Sequence, residues 1–281
     1  MNTVQINSEI LKKDAVGNTG LSSSKESYVA GKLKQINLER VNRESKQVIP
    51  KTGFYVRYGK RVVDFIVALL AFIVFSPLNI ILAICTFFDV GSPIIFRQTR
   101  IGKDGKEFQI VKFRNMTNEK DTDGNLLPAS QRVTKFGKIV RKYSLDELMN
   151  FWSVLKGDMS IIGPRPLPVF FNERYSERHR MRNVVRPGLE CPRMLRDENV
   201  PRYHEQFEND IWYVENISFV TDIKMVVMLF KMTFNTKYRK IGSEGGSYFV
   251  GYDENNHATS LKMVCKKHPE YEMEYENINS K

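Results

Sequence analysis

Phe65-Ile66-Val67-Ala68-Leu69-Leu70-Ala71-Phe72-Ile73-Val74-Phe75-Ser76-Pro77-Leu78-Asn79-Ile80-Ile81-Leu82-Ala83-Ile84-Cys85-Thr86-Phe87-Phe88 is a run of 24 residues without a charge. Only Ser76, Asn79 and Thr86 in it are clearly polar. At about 1.5 Å per residue, a straight helix of this length matches a bilayer core of ~30 Å. A buried helix of a water-soluble core is the weaker reading. Pro77 changes what kind of membrane segment is expected. It lacks an amide donor and its ring strikes the carbonyl of Ile73, while the Ser76 hydroxyl can satisfy the freed backbone. Basic residues stand on both flanks: Arg57, Lys60 and Arg61 before, then Arg97, Arg100, Lys103 and Lys106 after. Such flanks favour the cytoplasmic side, and one crossing cannot keep both there. The favoured reading over a bitopic span is a re-entrant helix-break-helix over 54–90, broken at Ser76-Pro77.

The rest of the composition limits the alternatives. The chain has 281 residues, 42% of them hydrophobic, with 43 Lys+Arg against 32 Asp+Glu, giving a net charge of +11. That apolar content excludes a wholly disordered chain, and a mean hydropathy of −0.37 excludes many membrane spans. Cys85, Cys191 and Cys265 form neither a CxxC pair nor a disulfide framework. The excess positive charge points to an anionic partner: nucleic acid, acidic lipid or a phosphorylated small molecule. The basic clusters lack the aromatic interleaving of a single-strand binder and show no helix-turn-helix or RNA-recognition motif, so nucleic acid is not expected.

Working outward, residues 1–53 read as a flexible polar tail. Met1 to Leu11 lacks the apolar core of a signal peptide, so a cytoplasmic location is expected. Residues 91–241 read as a cytoplasmic catalytic domain and 242–281 as a solvated polar extension. Ile94–Ile101 and Glu107–Phe113 form a hairpin signal around Gly102-Lys103-Asp104-Gly105-Lys106. The period of two places Phe108, Ile110, Lys112 and Arg114 on one face. Helical patterns follow over Arg132–Tyr143 and Leu145–Leu155, the latter closed by Gly157. Three prolines keep Gly163–Pro168 out of a helix. A short apolar-faced helix is expected over Asp222–Phe234, as core or at a membrane interface. The fold class is thus α+β: helix-rich and monotopic, with a re-entrant broken helix, a small β-hairpin and interfacial amphipathic helices.

Chemistry concentrates in Arg141-Lys142-Tyr143-Ser144-Leu145-Asp146-Glu147-Leu148. Ser144 and Glu147 have capping-box spacing, with Asp146 suited to a helix dipole. The same residues also suit a phosphate site. A carboxylate beside Arg141 and Lys142 is expected to stay ionised, free amides at a helix start attract phosphate, and Asp146 could attack phosphorus while Glu147 holds Mg2+ on a diphosphate. The spacing alone leaves both readings open. There is no HExxH pair, GxSxG elbow, Walker loop or GxGxxG loop. His179, between Arg178 and Arg180, reads as a surface residue.

In order along the chain stand Lys60-Arg61-Val62-Val63-Asp64, the broken apolar helix, Gly91-Ser92-Pro93-Ile94-Ile95-Phe96-Arg97-Gln98, Lys112-Phe113-Arg114-Asn115-Met116, Ser144–Leu148 and Val154–Pro166. This series resembles the bacterial sugar transferases, specifically the monotopic phosphoglycosyl transferases, over about residues 56–236. The resemblance implies transfer of a sugar 1-phosphate from a UDP-sugar to undecaprenyl phosphate, with release of UMP and a need for Mg2+. It implies Asp146 as nucleophile forming a phosphosugar ester, and Glu147 as metal ligand. Lys112, Arg114, Arg141 and the Pro164-Arg165-Pro166 turn would hold phosphate or nucleotide. It further implies initiation of glycan assembly (capsule, exopolysaccharide, O-antigen or glycoprotein) at the bacterial inner membrane, against anionic lipid. The additional spanning bundle of larger relatives is not expected, and a homodimer stays open. After Arg186-Pro187-Gly188-Leu189 many relatives continue Thr-Gly-Trp, whereas this chain has Glu190-Cys191-Pro192, which bears on the substrate pocket. The rival readings are a membrane-anchored glycosyltransferase releasing UDP and a non-catalytic basic scaffold.

Overall fold

The structure is a computed structural model that describes residues 24–122, 124–192, 194, 199–234 and 247–279. The first 23 residues of the expected tail, residues 242–246 of the expected extension, Asp123 and Arg193 lie outside them. Along the chain, α1 (Ser24–Leu33) continues through a π-helical segment into α2 (Glu39–Glu44). A second π-helical segment, Tyr55–Gly59, leads into α3 (Lys60–Val90), which holds the whole apolar stretch. The expected break at Ser76-Pro77 is not a helix end. Ser76 Oγ donates to the Ile73 carbonyl at 2.8 Å, the acceptor that Pro77 deprives of an amide, and α3 runs on through the proline.

One stripe of α3, through Asp64, Ala68, Asn79, Leu82 and Thr86, is buried. Ala68 packs with Ile110, Val154 and Met159, and Leu82 with Phe113 and Val140. Between them Phe72 meets Trp152 and Phe75 stacks on Phe151. The opposite face is bare hydrocarbon: Leu70 is 59% exposed, Val74 69% and Phe88 82%. Water-soluble proteins rarely present a continuous apolar surface of this extent.

β1 (Ile95–Ile101) and β2 (Glu107–Phe113) pair antiparallel as expected, Arg100 opposite Phe108 and Phe96 opposite Lys112. The helix expected over Arg132–Tyr143 forms as α5 (Lys135–Lys142), while Arg132 ends a separate short helix, α4 (Ala129–Arg132). Thr134 Oγ1 accepts from Gly137 N at 2.8 Å and so starts α5 afresh. A 3-10 turn over Leu145–Glu147 precedes α6 (Asn150–Lys156), and Gly157 closes α6 at φ +95°. β3 (Ser160–Ile162) pairs parallel with β4 (Gly188–Glu190). The extended stretch 163–168 leaves β3 as three prolines require. The remaining helices of the body are α7 (Glu177–Arg180), α8 (Arg202–Asn216) and α9 (Phe219–Phe234).

The described parts of the two expected polar tails instead fold together. β5 (Phe249–Tyr252) and β6 (Ala258–Ser260) form a hairpin followed by α10 (Leu261–Lys267) and α11 (Glu270–Asn279). Val29, Ala30 and Leu33 of α1 pack on Val250 and Val264. Phe249, Tyr252 and Ala258 share a core with Ile101, Phe171, Tyr175 and Phe207 of the body. The glutamates taken for a solvated ending pair with α1, Lys25 with Glu272 and Lys32 with Glu274. His179 is likewise interior, its ring held between Glu208 Oε1 at 2.8 Å and Tyr252 OH at 2.9 Å. Each half carries too few apolar residues to announce a core, and only their meeting buries them.

Candidate active site

The site lies where the β1–β2 hairpin, the 3-10 turn ahead of α6 and the β3–β4 pair converge. The turn brings its carboxylates in by an unusual route. Ser144 sits at φ +55° in the left-handed region, and its hydroxyl makes no cap bond. The capping box suggested by the spacing therefore does not form; Glu147 N donates to the Ser144 carbonyl instead, at 3.2 Å. A non-glycine residue at positive φ is uncommon and is favoured where function demands it.

Asp146 is 8% exposed. Asn115 Nδ2 donates to its Oδ2 at 3.1 Å, and Arg141 Nε donates to Asn115 Oδ1 at 2.9 Å. Arg141 thus reaches the carboxylate through Asn115. Burial raises the Asp146 pKa, Lys112 opposes that shift and the charge of Glu147 adds to it. Desolvation thus outweighs the basic neighbours on which the sequence expectation rested, and shifts this carboxyl upward. Glu147 responds the other way. Burial alone would raise its pKa, but Arg165 and Lys112 together hold it below the usual range. Lys112 Nζ donates to Glu147 Oε1 at 2.5 Å and Arg165 to the same oxygen at 3.2 Å.

Arg165 projects from between Pro164 and Pro166 and also reaches Glu190 Oε2 at 3.2 Å. Its backbone carbonyl accepts from Arg182 at 2.9 Å, and Arg182 is locked to Asp210 in a fully buried pair at 2.6 Å. Arg114, expected beside Lys112, points elsewhere: it donates to the Val90 and Gly91 carbonyls at the end of α3. Glu147, Lys112 and Arg165 therefore line one cleft, Asp146 lies buried beside it within reach of the charges of Lys112 and Glu147, Arg141 reaches Asp146 indirectly, and Arg114 fastens the end of α3. Asn115, Arg100 and Glu190 are polar neighbours of the cleft to which the sequence reading gave no role. Asn115 belongs to the Lys112–Met116 motif, and the period of two along β1 places Arg100 on the face of the hairpin that carries Lys112.

Among the described residues no group of three His, Cys, Asp or Glu side chains could hold a metal by itself. Glu147 nevertheless offers a charged carboxylate at the cleft, which suits an ion completed by substrate oxygens.

The model of the family described as bacterial sugar transferase matches residues 55–236. The chain belongs to that family. It is 39% identical over 175 residues to the uncharacterised sugar transferase EpsL of Bacillus subtilis, covering 62% of this chain and 80% of the relative. It is 35% identical over 189 residues to a UDP-glucose:undecaprenyl-phosphate glucose-1-phosphate transferase of Caulobacter vibrioides, covering 64% of this chain and 70% of the relative. A Klebsiella pneumoniae protein with the same description is 35% identical over 180 residues, which cover 60% of this chain and only 38% of that longer relative. The family match contains the whole candidate site; α1, α2 and the β5–β6 hairpin lie outside it.

Proposed function

We propose that this chain transfers a sugar 1-phosphate from a UDP-sugar to undecaprenyl phosphate at the cytoplasmic face of the bacterial inner membrane, initiating glycan assembly. The observation that carries this reading is the pairing of a buried Asp146 with a charged, cation-flanked Glu147 at one cleft, on a body whose α3 exposes an apolar face. Asp146 attacks the phosphorus bonded to the sugar, a phosphosugar–aspartate ester forms, and the bond from that phosphorus to UMP breaks. An oxygen of undecaprenyl phosphate then attacks the same phosphorus, and Asp146 leaves as carboxylate. Lys112 and Arg165 oppose the charge that builds on the phosphoryl oxygens, Arg165 with a planar fork suited to them. Glu147 would hold Mg2+ jointly with the donor phosphates, and the ion supplies charge neutralisation on the diphosphate.

Two features support a re-entrant anchor on the side of the catalytic body. Near its start, α3 is tied to the body by Arg61, which donates to the Val154 and Leu155 carbonyls, and by Asp64, which accepts from Ile161 N. At its end Asp89 accepts from Thr134 Oγ1 at 2.6 Å and Arg114 holds the last carbonyls. A helix moored at both ends and along one stripe sinks its free face into the bilayer beside anionic headgroups rather than carrying one end across.

The test is to incubate the detergent-solubilised chain with undecaprenyl phosphate, Mg2+ and a panel of UDP-sugars and to identify the released nucleotide. UMP with one sugar supports the reading and names the donor. Release of UDP overturns it in favour of simple sugar transfer, and no nucleotide from any donor favours a binding protein.

A further inference from the structure

Arg100 is the cation that the cleft does not use internally. It stands on the face of the β1–β2 hairpin that carries Lys112, two residues from Gln98, which accepts from its guanidinium. Its Nε is buried and has no hydrogen-bond partner among the described residues. The neighbouring cations are all committed. Lys112 and Arg165 share Glu147, and Glu190 takes the second edge of Arg165. Arg141 is exposed and bonded to Asn115. Arg100 forms no salt bridge among the described residues, although it lines the same cleft as Lys112, Glu147 and Arg165.

A half-buried guanidinium with no ion-pair partner in contact is unfavourable, and Glu147 acts on Arg100 only through space. Burial, with Arg165 adding to it and Tyr248 and Glu147 opposing it, lowers the Arg100 pKa to about 10. An unpaired Nε–H beside Lys112 and Arg165 favours an incoming oxyanion, and a guanidinium binds phosphate oxygens in pairs. We infer that Arg100 is a substrate-binding residue whose guanidinium takes a phosphate oxygen of a bound substrate. This rests on the proposed transfer reaction, in which two phosphate sources enter the cleft: the nucleotide donor and the polyprenyl phosphate acceptor.

The experiment compares the full chain with its Arg100→Gln and Arg100→Lys variants. UMP affinity is measured by calorimetry, and KM for undecaprenyl phosphate is measured with saturating donor. A roughly tenfold or greater loss of UMP affinity in Arg100→Gln, smaller in Arg100→Lys, assigns the contact to the nucleotide phosphate. Unchanged UMP affinity with a similar rise in acceptor KM assigns it to the lipid phosphate. A folded Arg100→Gln chain with wild-type values for both overturns the inference, while UMP release by the parent keeps the reaction standing. If Arg100→Gln does not fold, wild-type values for both in Arg100→Lys overturn it equally. A parent chain that binds no UMP and consumes no UDP-sugar overturns both.

Discussion

Asn115 Nδ2 donates to Asp146 Oδ2 across 3.1 Å, while Asn115 Oδ1 accepts from Arg141. This amide orients the carboxylate of the proposed nucleophile and passes a positive end toward it. Hydrogen bonds to charged groups are worth about 1.5–3 kcal/mol, roughly 10- to 100-fold in rate. Asn115→Ala should slow covalent labelling of Asp146 by that factor with donor affinity little changed. Rapid-quench labelling with a radioactive UDP-sugar checks it.

Asp146→Asn should abolish covalent labelling altogether while the protein stays with the membrane fraction. Full turnover by this variant would remove Asp146 from the nucleophile's role.

The acid limb of the pH–rate profile should reflect Asp146, because an attacking carboxylate must be ionised and burial has raised its pKa. Activity is then lost as pH falls, beginning above the ordinary Asp range. Lys112 favours the ionised form, so Lys112→Gln should move this limb to higher pH as well as weakening the enzyme. A limb that stays put or moves to lower pH would contradict the assignment.

Stability should fall on acidification through the histidine cluster that joins the β5–β6 hairpin to α8. His204 is brought to about 4 by burial, reinforced by His179 and His257, and burial also lowers His179. Both bind protons more readily when unfolded, so their contribution is present above about pH 6.5 and is lost as pH falls toward 4. Melting temperatures measured over that window should drop, and His204→Gln should flatten the drop.

Gly188→Ala should destabilise the fold and the site together. A Cβ there would lie 2.1 Å from Gly163 N and 2.5 Å from the Gly163 carbonyl oxygen, so β3 and β4 must separate just before Arg165. The loss is expected at about 1–3 kcal/mol or more, read as a lower melting temperature and a weaker UMP affinity.

Ser76→Ala combined with Pro77→Leu restores the missing amide and removes the hydroxyl bonded to Ile73. With a backbone hydrogen bond to the Ile73 carbonyl restored inside α3, the apolar helix should then favour crossing the bilayer. With Cys85, Cys191 and Cys265 replaced, single cysteines ahead of Lys60 should become reactive to impermeant reagents from the opposite side. Unchanged accessibility would count against the re-entrant account.

The sequence by itself determined the features whose cause is local. The uncharged run at 65–88 made one apolar helix, period-two patterning made the β1–β2 hairpin, Gly157 closed α6, and the prolines around Arg165 kept that stretch extended. The ordered motifs also placed Asp146 and Glu147 in a recognisable family. Tertiary structure decided what depends on residues far apart. Burial raised the pKa of Asp146 against the pull of its basic neighbours, and the end of α3 drew Arg114 away from Lys112. The hydroxyl of Ser144 was left out of a capping box because its backbone turns left-handed. The two polar ends became structure because Val29, Leu33, Val250 and Val264 bury one another across more than 200 residues. Local patterns register the propensity of a segment, whereas desolvation and partner choice exist only once distant surfaces have met.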